Sequence, residues 1–458
     1  MNLLFPVLNN NYSLLKQHEH SILYPSTFGV EGQLGSGTYE YEKITKTAAE
    51  ILMLSDGTRS IDEIARILSS QYSESFEVAR NIVNSFLDEC LNKGVVTFMM
   101  YPAKQNIDVH GDFDTIYPFV VQFELTKICP LKCLHCYNNS GTARTTELST
   151  IEVFTVLNKI KKMGVKRILL TGGEPTSRAD IADIIKYASK GLLAVVVVSN
   201  GYHFSERLID EILKCGNVVV QISLDGTEKN HNYIRGVRDS YQKAIDSISL
   251  LVSKGIPVMV AFTFNEINIG DIDYVTTTTK KLGAKQITYG GTVSKGRAKE
   301  NNLIQNDADG NISRQLKEMK NIHQKDGFYV HIEYEDVLGN NQFIHPISTC
   351  GKGDVQICVR ENGDVSPCVP YNFVYGNLYN QEPEEIFHYS NVLKLRAYNA
   401  IDMSICKLCE EFMRCGGCEA VAFEIAESKC VWKQKNRTYL QGLQELTNGV
   451  KITNNKQS

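Results

Sequence analysis

Cysteine spacing carries the chemistry of this chain. Of 13 cysteines in 458 residues, all but Cys90 and Cys215 fall into three groups. These are Cys129/Cys133/Cys136, Cys350/Cys358/Cys368 and Cys406/Cys409/Cys415/Cys418/Cys430. The first group reads Cys129-Pro-Leu-Lys-Cys133-Leu-His-Cys136-Tyr137. Thiolates at i, i+4 and i+7 can come from one loop and ligate three irons of a cubane iron–sulfur cluster. Such cubanes usually take four cysteines, so three leave one iron open to a substrate. Zinc competes, but a structural zinc site needs four ligands. His135 could supply the fourth, at the expense of the usual Cys-x2-Cys geometry. Cys90 and Cys215 are expected as small core residues.

Those thiols need elements to hold them. Candidate strands alternate with helices along the middle of the chain. The strands are Phe119–Leu125, Arg167–Leu170, Ala194–Val198, Val218–Ser223, Pro257–Thr263 and Gln286–Tyr289. Between them lie helical stretches at Thr150–Met163, Ile181–Ser189, Glu206–Leu213, Tyr241–Ser253 and Ile272–Leu282. Strand–helix alternation indicates a parallel sheet. Six repeats fall short of the eight of a complete barrel, so an incomplete (β/α) barrel is expected. Sites in such folds lie at the C-terminal ends of the strands, and polar motifs sit there. The cysteine loop follows the first strand and Gly172-Gly173-Glu174-Pro175 the second. Ser199-Asn200-Gly201 ends the third, and Gln221-Ile-Ser223-Leu-Asp225-Gly226 ends the fourth, followed by His231 and Arg235-Gly236.

In this order the motifs resemble the radical S-adenosylmethionine (SAM) enzymes. The resemblance implies one SAM-binding [4Fe-4S] cluster on Cys129, Cys133 and Cys136. SAM would chelate the open iron and yield a 5′-deoxyadenosyl radical that abstracts a substrate hydrogen. It implies SAM contacts from Tyr137, Gly172, Gly173, Glu174, Ser199, Asn200, Ser223, Asp225 and Arg235. Glu174 suits a protonated amine and Arg235 a carboxylate; alternatively Asp225 caps a turn and Arg235 pairs with Asp239. The C-terminal cysteines resemble the SPASM extension of peptide-modifying members, which implies two auxiliary [4Fe-4S] clusters. Carried over by position, one would use Cys350, Cys358, Cys368 and Cys418, the other Cys406, Cys409, Cys415 and Cys430. Cys358 lies in the strand-like stretch Val355–Val359. If it is a core residue, the first auxiliary cluster keeps an open iron that could bind a substrate thiolate.

Before the barrel, three helical segments are expected: Thr45–Leu54, a capped helix after Ser60 running through Leu68, and Phe76–Leu91. Ser60 and Glu63 have capping-box spacing, and Val78, Ile82, Val83, Phe86 and Leu87 form the third helix's expected core face. With flanking strands, this resembles a small winged helix-turn-helix. Residues 1–100 carry seven basic and twelve acidic side chains, and a net −5 would repel phosphates. Peptide capture at a strand edge and plain packing are the remaining readings. Thr47-x2-Glu50-Ile51-Leu52-x2-Ser55-Asp56-Gly57-Thr58 and Ile61-x2-Ile64-Ala65 resemble PqqD-like leader-recognition domains. The layout then resembles the sactipeptide and ranthipeptide synthases.

The expected architecture is therefore an α/β chain, a partial (β/α)6 TIM barrel with an N-terminal winged helix-turn-helix and a C-terminal Cys-rich SPASM domain. Expected bounds are 1–100 for leader recognition, 101–117 for a linker, 118–300 for the barrel, 301–345 for a bridging region and 346–458 for the auxiliary-cluster domain. The resemblance implies thioether formation on a ribosomally made precursor peptide carrying a leader sequence. The reductant would be a flavodoxin or ferredoxin-like protein. Other radical peptide modifications, carbon–carbon crosslinking or epimerisation, share these motifs. Val369 stands where sulfatase maturases have an aspartate base after the cysteine matching Cys368. A non-catalytic iron–sulfur peptide-binding protein is the remaining alternative. No general base is assigned among Glu333, Glu335, Asp336 and Asp354.

The whole-chain numbers agree. Net charge is −4, which disfavours a nonspecific nucleic-acid binder. The longest apolar run, Leu192–Val198, is far short of the ~18 residues of a membrane span. Met1–Pro6 has no basic region before its apolar residues, so no secretory signal is expected and the cytoplasm is the expected location. There, a disulfide scaffold is not expected.

Overall fold

A computed structural model describes residues 4–26, 41–144, 146–303, 311–323, 327–332, 353, 355–396, 409, 419–422, 429–435 and 441. Cys350, Cys406, Cys415, Cys418, Glu333, Glu335, Asp336 and Asp354 lie outside the described residues. The chain divides into two compact units at Tyr117/Pro118.

In the first unit, β1 (Phe5–Leu8), β2 (Tyr12–Lys16), β3 (His20–Pro25) and β4 (Glu42–Thr45) precede three helices. These are α1 (Lys46–Leu54), α2 (Ile61–Tyr72) and α3 (Phe76–Asn92), and β5 (Val96–Met99) and β6 (Asp108–Gly111) follow. The capping box forms: the Glu63 backbone N–H donates to Ser60 Oγ at 3.3 Å, and Glu63 Oε2 accepts from the Ser60 backbone N–H at 2.7 Å. The buried stripe of α3 is Ala79, Val83, Leu87 and Cys90, which keeps Val83 and Leu87 of the expected face, with Phe86 partly buried against the core, and is otherwise rotated from it. Val78 and Ile82 are 44% and 48% exposed. A 3.6-residue period permits either stripe. The smaller side chains of Ala79 and Cys90 occupy the inward positions in a core shared with Ile64, Ala65 and Leu68 of α2.

The strands around these helices form two sheets, β4-β3-β2-β6 and β1-β5. That is more sheet than a single wing. Residues 101–117, expected as a linker, contain β6, which pairs in parallel with β2 from Ser13↔Asp108 to Lys16↔Gly111. This pairing places the segment within the first unit.

The second unit begins with β7 (Val120–Glu124), α4 (Thr150–Lys162), β8 (Arg167–Thr171), α5 (Ile181–Ser189), β9 (Ala194–Ser199) and α6 (Glu206–Cys215). It continues with β10 (Val218–Ser223), α7 (Glu228–Arg235), α8 (Ser240–Ser253), β11 (Val258–Phe264), α9 (Ile272–Lys281) and β12 (Gln286–Gly291). All six expected strands and all five expected helices are present. After α10 (Arg297–Glu300) and α11 (Asn311–His323) come β13 (Tyr329–Ile332), β14 (Gln356–Val359), β15 (Asp364–Ser366) and β16 (Gly376–Asn377). Two helices follow, α12 (Pro383–Phe387) and α13 (Tyr389–Arg396).

The expected six-stranded unit is the centre of a ten-stranded sheet, ordered β13-β12-β11-β10-β9-β8-β7-β14-β15-β16. β13 adds in parallel to β12, and β14 adds in parallel to β7. The added strands satisfy the backbone groups that six strands alone would leave open at the sheet's edges. Strand alternation separates two faces. Val121, Phe123, Ile168, Leu170, Val195, Val197, Val220, Ile222, Val260 and Phe262 are fully buried. Gln122, Leu169, Val198, Gln221, Ser223, Ala261 and Thr263, on the other face, are partly exposed. The parallel order brings the ends of β7 to β10, and hence all four motifs, to one edge of the sheet.

Candidate functional site

The cysteine loop leaves β7 and is locked to the end of β8. Gly173 donates its N–H to Thr126 O at 2.6 Å, and Glu174 to Ile128 O at 2.7 Å. The two glycines permit this approach. A Cβ on Gly173 would lie 2.2 Å from Ile128 O, and one on Gly172 would lie 2.5 Å from Thr126 O. Gly172 also has φ +136°, a conformation side chains disfavour.

Cys129 and Cys136 are partly exposed and Cys133 is buried. The three lie within electrostatic reach of one another. In the metal-free chain the Cys129 thiol is pushed up to about 11, by burial first and by its neighbours Cys133, Glu174 and Cys136 next. A hydrogen bond from the Leu131 backbone opposes this at Cys129, and two side chains aim donors at sulfur. Asn200 Nδ2 donates to Cys129 Sγ and an Arg235 guanidinium N–H donates to Cys133 Sγ, each at 3.8 Å. His135 Nε2 faces Asp225 Oδ2 at 3.4 Å. Three thiols on one loop, with donors to sulfur and one side partly open, fit the ligand set of a cubane with one free iron.

The other expected contacts divide into two kinds. Glu174 is buried with its carboxylate held by its own chain. Oε1 accepts from Thr176 N–H (3.0 Å), Thr176 Oγ1 (2.7 Å) and Ser199 Oγ (2.9 Å), and Oε2 from Asn200 N–H (2.7 Å). Burial raises its pKa, against these donors. Glu174, Ser199 and Asn200 therefore tie the end of β8 to the end of β9. Arg235 pairs with Asp225 (2.6 Å) and not with Asp239; Asp239 instead accepts from Tyr202. Asp225 Oδ1 accepts from Thr263 N–H at 3.0 Å. Burial opposes ionisation of Asp225, but Arg235 and then His135 and His231 win, and its pKa is lowered. Tyr137 donates to Glu124 Oε1 at 3.0 Å. Ser223 sits partly exposed on the open face at the end of β10.

Sequence inspection overlooked a second polar cluster. Glu124 is fully buried and accepts from Tyr137, Asn138 (3.3 Å) and Arg360 (3.0 Å). Its Oε2 lies 3.2 Å from Lys127 Nζ, which also donates to Asn138. Glu361 pairs with Lys127 (3.5 Å) and Arg144 (3.2 Å). The available signal was a carboxylate, Glu124, between Phe123 and Leu125 at the end of a mostly apolar strand. Cys358 is fully buried on β14, with Glu124, Arg360, Lys127 and Glu361 among its electrostatic neighbours. Arg297, also unforeseen, donates to Cys133 O (2.8 Å) and Ser140 O (2.9 Å) and braces the cysteine loop. Cys368, Cys409 and Cys430 are described; Cys409 and Cys368 are partly exposed and Cys430 is buried.

Three family models match in chain order. They are coenzyme PQQ synthesis protein D (PqqD) over 19–96, the radical SAM superfamily over 123–276, and the SPASM iron–sulfur cluster-binding domain over 350–410. The antilisterial bacteriocin subtilosin biosynthesis protein AlbA of Bacillus subtilis is 27% identical over 91% of this chain and 92% of its own length. The sporulation killing factor maturation protein SkfB of the same organism is 26% identical over 78% and 85%. Streptococcus suis SuiB, solved with S-adenosylmethionine, shares the fold: TM-score 0.63, 12% identity, 93% of this chain and all of that one. Among the described residues no helix is long and apolar enough to cross a membrane. Radical SAM and SPASM domains imply SAM, a SAM-binding [4Fe-4S] cluster and auxiliary [4Fe-4S] clusters. The chain thus carries a radical SAM domain, with a PqqD domain before it and a SPASM domain after it.

Proposed function

We propose that this protein is a radical SAM enzyme that modifies a ribosomally made precursor peptide by joining a cysteine sulfur to a carbon of another residue. The gathering of Cys129, Cys133 and Cys136 beside the Gly172-Gly173 crossing carries this proposal. The domain order and the names of AlbA and SkfB, a bacteriocin biosynthesis protein and a killing-factor maturation protein, support a peptide substrate. So does SuiB, solved with its precursor peptide SuiA.

The three thiols would hold the cluster, which with SAM supplies a 5′-deoxyadenosyl radical for hydrogen abstraction. Arg235 and Asn200 favour the thiolate form of Cys133 and Cys129 through their N–H donors. Backbone carbonyls at Gly172-Gly173 would hold the SAM amino group, because Glu174 is occupied in tying strand ends together. Ser223 would contact the sugar or carboxylate from the open face, where Gln221 and Thr263 also lie. The Asp225–Arg235 pair shapes the floor beneath Cys133.

Of the C-terminal thiols, Cys358 is a core residue, because it is sealed among charged side chains on a paired strand. Cys350, Cys368 and Cys418 would then leave an auxiliary iron open to a substrate thiolate. Cys406, Cys409, Cys415 and Cys430 would hold the other cluster. The first unit captures the leader as an added strand at β4 or β6, the two edges of its larger sheet. A flavodoxin or ferredoxin-like protein supplies the electron.

The test is a mass spectrum. Protein reconstituted anaerobically with iron and sulfide reacts with SAM, reductant and the Cys-containing peptide encoded beside its gene. The peptide is weighed before and after iodoacetamide. A loss of about 2 Da per crosslink, with matching loss of alkylation, is expected, and Cys129→Ala abolishes both. The same mass loss with thiols still alkylated would mean carbon–carbon coupling. An unchanged mass with deuterium uptake from solvent would mean epimerisation. No SAM cleavage at all would mean a binding protein.

A further inference from the structure

The polar cluster on β7 and β14 joins two loops that the sequence keeps more than 200 residues apart. Arg360 follows β14 directly, and its guanidinium has three partners on two sides. One nitrogen lies 3.0 Å from Glu124 Oε1. Another donates to Val369 O and Tyr371 O, each at 2.7 Å. Those carbonyls belong to the turn immediately after Cys368. On the other side, Glu124 holds Tyr137 and Asn138, the two residues after Cys136, and Lys127, two residues before Cys129. A guanidinium can do this because its donors are fixed in one plane. Burial makes every partner matter: Glu124 is 0% and Arg360 16% exposed at the side chain. Lys295, after β12, grips the same turn from another direction through Pro370 O and Asn372 Oδ1 (2.7 Å).

We propose that Arg360 is a positioning residue that, through Glu124, fixes the loop of Cys129, Cys133 and Cys136 relative to the loop of Cys368. On the function proposed above, these loops carry the SAM-binding cluster and an auxiliary cluster. Arg360 thus sets the geometry between the radical source and the place where a substrate sulfur is held. A displacement of about 1 Å at such a site can cost 10²-fold in rate. The effect falls on coupling rather than on SAM cleavage: the radical still forms, but the peptide is less well placed to meet it.

The first test needs no cluster. The metal-free full-length chain is alkylated with iodoacetamide and each cysteine is followed by peptide mass spectrometry. In Arg360→Met, alkylation of Cys136 and Cys368 rises together by about tenfold, the factor given by about 1.4 kcal/mol of easier local opening. Cys90, in the core of the first unit, does not change. Arg360→Lys keeps the charge but not the planar fork. It leaves the fold intact and still accelerates Cys368, whose carbonyl partners lose their donors. In Glu124→Gln, only Cys136 accelerates, and combining it with Arg360→Met adds nothing further at Cys136.

The second test uses reconstituted protein. Arg360→Lys retains its iron, changes the electron paramagnetic resonance signal of the SAM-bound cluster, and raises 5′-deoxyadenosine released per peptide modified severalfold. Acceleration of Cys368 without Cys136 in Arg360→Met overturns the proposal, as does an unchanged signal and unchanged coupling in Arg360→Lys. Wild-type protein that takes up no iron would sink the proposed function instead, and the alkylation result would still decide the link between the loops.

Discussion

Replacing Asp225 by Asn tests the floor of the site. Asp225 Oδ2 lies 2.6 Å from Arg235, with side-chain exposures of 0% and 9%, so water screens little of the pair. Oδ1 accepts from Thr263 N–H. An asparagine amide has one oxygen for these two donors. Either rotamer sets an N–H₂ group against the Arg235 guanidinium or against the Thr263 N–H. Arg235 would keep only its long side-chain contact to Cys133 Sγ, whose thiol burial holds in the neutral form. Removing one member of a buried pair costs about 3–5 kcal/mol. The single tryptophan, Trp432, is buried in the second unit, so its fluorescence reports that unit in a urea titration of the metal-free chain. A lower midpoint at unchanged slope is expected. Asp225→Asn/Arg235→Met should lose less than Asp225→Asn alone, because the stranded cation is gone. A loss below about 1 kcal/mol for Asp225→Asn, or simple additivity in the double variant, would refute the buried-pair account.

Three further outcomes are expected. Gly173→Ala drives a methyl group into Ile128 O and should depress both the urea midpoint and the iron bound by Cys129, Cys133 and Cys136, read by iron analysis of a variant lacking the C-terminal cysteines. Cys358→Ala should leave total iron and sulfide unchanged, whereas Cys368→Ala lowers them; iron lost in Cys358→Ala would restore it as a ligand. His231 is pushed down to about 3, by burial first and by Arg235 next. Its Nδ1 accepts from the Asp225 backbone N–H. Below pH 6.5 the unfolded chain protonates His231 and the fold does not. The stability this gives is present above pH 6.5 and falls with pH down to about 3, by about 1.4 kcal/mol per unit. His231→Asn should remove that part of the slope between pH 6.5 and 5 in urea titrations.

Much of the site was legible because it is local in sequence. The Cys129-x3-Cys133-x2-Cys136 spacing, Gly172-Gly173 and the strand–helix alternation are short-range patterns, and strand order alone brings their ends to one edge. The capping box at Ser60 and Glu63 is equally local. Long-range partners were not legible. Whether Glu174 and Arg235 face a ligand or their own chain depends on Ser199, Asn200 and Asp225, which arrive from other strands. The inward stripe of α3 was decided by packing against α2, since the period allowed two stripes. The linker at 101–117 became strand β6 because β2 offered it an open edge.

The sequence by itself determined the order of the domains, the six central strands and the thiols that could bind iron. These follow from spacing, periodicity and residue chemistry within windows of a few tens of residues. Tertiary structure alone decided which polar side chains serve the fold and which face the open side of the sheet. Only the pairing of β14 with β7 brought Arg360 to Glu124, because a buried charge takes its role from whichever opposite charge the topology sets beside it.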